Sequence, residues 1–282
     1  MNDVFILEKN IESLTFSSVQ RMPHKSRKGP LDVARQELRT ALEAFKAAPG
    51  QIIEGVYSSL VEGYFDVENV LLYNIEPAAF RNSAVNGLRL RRCRSGSDNI
   101  VEGFAHKMVY RLIPVPRIPA SHLVRLTFVP DRLKDPFDVW WASGMGQASS
   151  TGTILGTYGI YVELGGPIPP KNPAQRVKPL FDGIIASLQR DSLPDAVAIE
   201  RLSQKHRIDS GLIKERLMNP IVSAISASRS KRLVRQYREG VQWHPADDLC
   251  EECTLIVTRK PAPICNAFVY ALPGNYAGDA PL

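Results

Sequence analysis

Apolar residues recur with two periods along this chain. Leu31, Ala34, Leu38, Ala41, Leu42 and Phe45 follow Pro30 at helical spacing, and Pro49-Gly50 closes the run, so a helix is predicted over 31–48. Around it, residues 4–8, 12–19, 51–65 and 87–94 read as strands, with Gly55 and Gly63 as bulge positions. Beyond residue 100, KMVYRLIPV, HLVRLTFVP, ILGTYGIYVEL, TLIVTRK and AFVYAL read as strands, and VKPLFDGIIASLQR as a helix behind its proline. DPFDVWWASGMGQASSTGT reads as irregular, and residues 195–238 carry helical spacing almost continuously. The pattern predicts a mixed α+β fold in two α/β lobes, 1–99 and 100–282, the second with a helical insertion at about 195–238. Phe65-Asp66 and Phe181-Asp182 stand at matching places in the two halves, each before a short apolar helix. That echo suits chance, or two related lobes arranged as a pseudo-dimer.

Charge adds a partner class. The net charge is +6 over 282 residues, a modest bias toward polyanions. Its distribution says more than its total. Arg21, Lys25, Arg27 and Lys28 crowd one loop; Arg89, Arg91, Arg92 and Arg94 crowd a strand; Arg229, Lys231, Arg232, Arg235 and Arg238 crowd a predicted helix. They form either one joint surface or three solvated faces. The joint surface implies a nucleic-acid-binding protein, with Arg21, Lys25, Arg27, Lys28, Arg91, Arg92, Arg232 and Arg235 on phosphates; Tyr237 is either packed inward, the favoured reading, or a stacking platform for a base. No apolar run reaches the roughly 18 residues of a membrane span. The acidic start MNDVFILEKN lacks a leader's apolar core, and four cysteines are too few for a secreted disulfide scaffold. A cytoplasmic protein with no membrane contact is expected.

The stretch YFDVENVLLYNI, residues 64–75, carries the first candidate chemistry. At a strand end, Asp66 and Glu68 project to one side and offer hard oxygen ligands to Mg²⁺, with Asn69 as an orienting group. Alternatively, Asp66 is a helix cap and Glu68 occupies a favourable first turn. D-x-E-N before an apolar helix resembles the signature of RusA-type Holliday-junction resolvases. VKPLFDG, with Lys178, Pro179 and Asp182, resembles that family's Lys-Pro-Asp form, and Asp247-Asp248 stands where a downstream acid would follow. Leu72 replaces the family's helical lysine. The resemblance implies a small α/β fold and Mg²⁺-dependent, structure-selective cleavage with Asp66, Glu68 and Asp182 as catalytic metal ligands. With the set incomplete, it equally implies a degenerate, resolvase-like binding protein.

Three further motifs stand apart. HPADDLCEEC gives Cys250-x-x-Cys253, which with His244 and Cys265 makes a candidate Zn²⁺ set or, alternatively, two reduced thiols in a turn. Such a zinc would stabilise a protein-interaction subunit of a larger bacterial complex. Residues 198–217 have the spacing of a helix-turn-helix, with Lys214 and Arg216 toward DNA, or of a plain helical hairpin. The loop SGMGQASSTGTILG lacks the Lys-Ser/Thr ending of a phosphate loop. No G-x-S-x-G or H-E-x-x-H occurs, and His106 and His122 read as structural residues on strands.

Overall fold

The computed structural model describes residues 4–10, 12–24, 29–61, 66–93, 100–167, 170–226 and 232–272. The fold is mixed α+β. It divides into two compact units that interleave in sequence. The first joins Met1–Ile118, Tyr161–Val177 and Glu251–Pro261; the second joins Pro119–Ile160, Lys178–Cys250 and Ala262–Leu282. The sequence boundary at 99/100 does not mark this division, because the strand after it pairs back onto the first unit.

In the first unit, β1 (Phe5–Lys9), β2 (Ser13–Ser18), β3 (Gln51–Ser59), β4 (Gly87–Arg92) and β5 (His106–Pro114) lie in the order β1-β2-β5-β3-β4. All pairs are antiparallel except β3 with β4. Beyond β4 lies β11 (Cys250–Arg259), antiparallel to it. α1 (Pro30–Glu43) begins with proline at its first turn and buries Ala34, Leu38, Ala41 and Leu42, one face at helical spacing. Gly87 has φ 126°, and a Cβ there would meet the Leu255 carbonyl oxygen at 1.9 Å, so only glycine lets β4 start against β11.

In the second unit, β6 (Val124–Phe128) pairs antiparallel with β7 (Gln147–Ser150) and with β12 (Ile264–Ala271). β8 (Tyr158–Gly166) has its first three residues here and the rest in the first unit. The helices are α2 (Pro136–Ser143), α3 (Val177–Ser187), α4 (Ala196–His206) and α5 (Ser210–Met218). Asp135, Asp195 and Asp209 cap α2, α4 and α5 through carboxylate hydrogen bonds from backbone amides. Arg207, left-handed at φ 57°, ends α4. Phe137, Trp140, Ala198, Leu202, Ile213 and Leu217 share one core with Leu233 and Val234.

Two sequence expectations change here. The helical insertion stops at Met218, and the arginine-rich segment is a hairpin of β9 (Val234–Tyr237) and β10 (Gly240–Trp243). Leu233 and Val234 anchor it in the core, and Arg238 turns the chain at φ 51°. α2 and β7 replace the irregular stretch. The Asp135-Pro136 cap starts a helix too short for its apolar spacing to show in the sequence.

Candidate nucleic-acid interface

The ends of β3 and β5 in the first unit bring three polar side chains together. Ser59 and His106 are register partners, and Tyr57 shares the Ser59 face of β3. Tyr57 Oη lies 2.7 Å and Ser59 Oγ 3.2 Å from His106 Nδ1. A hydroxyl donating to Nδ1 suits a neutral imidazole that carries its proton on Nε2. Tyr57 is fully buried and His106 nearly so. Burial lowers the proton affinity of His106, and Arg21 lowers it further. Burial raises the Tyr57 phenol, against the hydrogen bond with Ser59 and the charges of Arg21 and Arg92. Arg21 is exposed, while Arg92 is mostly buried 3.6 Å from Glu251. Two basic groups separated in sequence therefore act on one cluster of hydroxyls and imidazole.

The other β4 arginines have different surroundings. Glu54, 1% exposed, accepts from Arg91 Nε at 3.0 Å and lies 2.7 Å from Arg111 Nη2 and 3.6 Å from Arg89 Nη1. Arg89 also reaches Glu252 at 2.8 Å. A buried carboxylate needs such partners, and they in turn neutralise Arg89 and Arg91. Arg91, expected on phosphate, thus serves an internal network. Lys25, Arg27, Lys28, Arg94, Arg229 and Lys231 lie outside the described residues.

On the second unit's hairpin, Arg235, Tyr237 and Arg238 are exposed, and the Arg238 guanidinium lies 5.3 Å from the Tyr237 ring centre. Arg232 stands 3.9 Å from Asp195 and Arg235 donates to Gln242 at 3.1 Å. In the helical pair, Lys214 is exposed. Arg216 instead lies 3.9 Å over the Trp141 ring and donates to the Trp141 carbonyl.

The expected metal ligands separate by type. Asp66 and Glu68 are not at a strand end: β3 stops at Ser59, and Val67 and Glu68 are already helical. Asp66 accepts from the Asn69 amide and side chain, which is capping geometry. Even so, the Asp66 and Glu68 carboxylates offer oxygens within 4.8 Å of each other, near enough for one cation. In the second unit, Lys178 lies 3.4 Å from buried Asp182 and 3.5 Å from Asp247, so the lysine, the motif aspartate and the downstream acid do converge. The thiol set does not form. Cys250 and Cys253 stand three residues apart on β11, where alternate side chains point to opposite faces. Among the described residues no group of three or more ligand atoms includes His244, Cys250, Cys253 or Cys265. Cys265 is fully buried, which pushes its thiol far up and away from thiolate.

Among the described residues no helix is long and apolar enough to cross a membrane. No protein-family model, curated protein or solved structure matches this chain.

Proposed function

We propose that this protein binds nucleic acid through its phosphates. The charge of exposed Arg21 bears on the Tyr57–Ser59–His106 cluster, and that observation carries the reading. Guanidinium groups take phosphate oxygens in fork geometry, and the histidine Nε2–H adds a neutral donor. The hairpin arginines of the second unit supply further, sequence-independent contacts, with Tyr237 as a face for a base. The test is fluorescence anisotropy with single-stranded, duplex and branched DNA and with RNA across a salt series. Binding that falls log-linearly with salt, and that weakens in Arg21→Ala, supports the reading. No signal at low salt for any of these sinks it.

A second reading is a Mg²⁺-dependent, structure-selective nuclease of the kind the RusA-like motif implies. The closely placed Asp66 and Glu68 carboxylates favour it, and the Lys178–Asp182–Asp247 cluster supports the same motif. Mg²⁺ would neutralise a phosphate and activate water there. Cleavage of branched DNA with Mg²⁺ or Mn²⁺, lost in Asp66→Ala with binding retained, supports this; an inactive wild type removes it.

A further inference from the structure

The second unit holds a cavity of about 670 Å³, within the range of small-molecule sites. α2 contributes Phe137, Asp138 and Trp141 to its wall, α4 contributes His206, and the preceding loop contributes Asp131 and Arg132. Its aromatic surfaces are fixed. The His206 ring stacks on Phe137 at 3.8 Å and 20°, and the Phe137 and Trp141 planes lie within 7° of each other. Arg216 covers Trp141 at 3.9 Å.

The polar groups of this wall keep hydrogen-bonding capacity. The Asp138 side chain is 17% exposed and lies 3.9 Å from His206 Nδ1, too far for a hydrogen bond. Among the described residues nothing donates to its oxygens. His206 Nε2 is buried without a hydrogen-bond partner, 3.8 Å from Asp135. Asp135 itself is engaged by Lys205 at 2.6 Å and by the Asp138 amide. A half-buried carboxylate with open acceptors beside flat apolar rings asks for a flat ligand with donors on its edge. A carboxylate takes two parallel N–H groups best. An aliphatic amine would leave the apolar wall of Phe128, Trp141 and Ile208 unused.

We propose that this cavity binds a planar nitrogen heterocycle with adjacent ring N–H and amino donors, a guanine-type base, Asp138 taking both donors and the ring lying against the apolar wall of Phe128, half-exposed Trp141 and Ile208. The inference stands apart from phosphate binding, since no arginine of that reading takes part in it. Calorimetric titration of the full chain with guanosine, inosine and adenosine tests it. Guanosine should saturate, inosine should bind several-fold weaker and adenosine about tenfold weaker, because each lacks part of the donor pair. Asp138→Asn should weaken guanosine about tenfold. Salt should leave guanosine affinity unchanged while it weakens any polymer binding, which separates the two readings. Absence of saturable binding at millimolar guanosine, equal affinity for guanosine and adenosine, or unchanged binding by folded Asp138→Asn would each overturn it. Should circular dichroism show Asp138→Asn unfolded, the guanosine-to-inosine ratio on the wild type decides alone.

Discussion

His106 in the first unit and His206 in the second are both largely buried, and burial holds both below the ordinary histidine range. Their neighbours differ. His106 lies within hydrogen-bonding distance of two hydroxyls and feels the Arg21 charge, in a region where Glu54 is also saturated by guanidinium groups. His206 lies flat on Phe137 with Nε2 unpartnered and two carboxylates just beyond hydrogen-bonding reach. The first region has its polar groups matched and a net positive fringe, which suits an anion. The second has aromatic faces and unmatched acceptors, which suits a neutral ring that brings donors. One residue type thus marks two ligand classes, and the surrounding charge and hydrogen-bond balance tells them apart.

The largest way to break this contrast is to unmatch the first region. Glu54→Ala leaves Arg89, Arg91 and Arg111 packed together without their carboxylate. Breaking a buried pair typically costs about 3–5 kcal/mol, and the lower end is expected here because half-exposed Arg111 can turn to water. Urea denaturation measures it. A loss under about 1 kcal/mol would mean the network relaxes into solvent and the region is not saturated in the sense argued.

Next in size is the anion itself. Arg21→Ala should lower nucleic-acid affinity about tenfold at low salt, the effect of removing charge-assisted hydrogen bonds. Anisotropy reads it. Equal loss in Arg21→Ala and in Asp138→Asn would erase the distinction between the two regions.

How far the sequence could anticipate these sites follows from what each depends on. β1 to β6, α1 and α3 stand close to where alternation and helical spacing put them, because each has one apolar face long enough to count. The hairpin at 234–243 reads as helix because arginines have good helix propensity, and only the anchoring of Leu233 and Val234 decides otherwise. His106 reads as a strand histidine of structural use. Nothing local shows that Tyr57 and Ser59 meet it or that the Arg21 charge bears on it, since that depends on strand register across 49 residues. Trp141 and His206 are 65 positions apart, and α2 itself is not legible. The lysine–aspartate pair at 178–182 is different: spaced at i and i+4 on one helix, it is readable directly, and Asp247 then joins through the fold.

A smaller effect separates the two histidines by pH. Both have folded proton affinities below the ordinary value of 6.5, so the unfolded chain binds more protons below that point. Stability is therefore full above about pH 6.5 and falls as pH drops below it. In His106 the Arg21 charge adds to burial; in His206 Asp135 and Asp138 oppose it, against the charge of Lys205. The fall between about pH 7 and 5 should accordingly flatten more in His106→Gln than in His206→Gln, followed by Tm against pH. The reverse order would contradict the assignment of charges around the two rings.

The smallest expected effect concerns the hairpin. Arg235 and Arg238 are exposed, and neither pairs with a carboxylate among the described ion pairs. Arg235→Ala and Arg238→Ala should leave stability within about 0.5 kcal/mol, as surface changes usually do. If these arginines meet phosphates, each substitution should lower the slope of log affinity against log salt by about 1, uniformly across sequences. The β4 arginine Arg91 is the internal control. Arg91→Ala should disturb stability through Glu54 and leave the salt slope alone, because its guanidinium already faces a protein carboxylate. A slope that falls for Arg91 and holds for the hairpin would move the phosphate contacts from the exposed arginines to the strand.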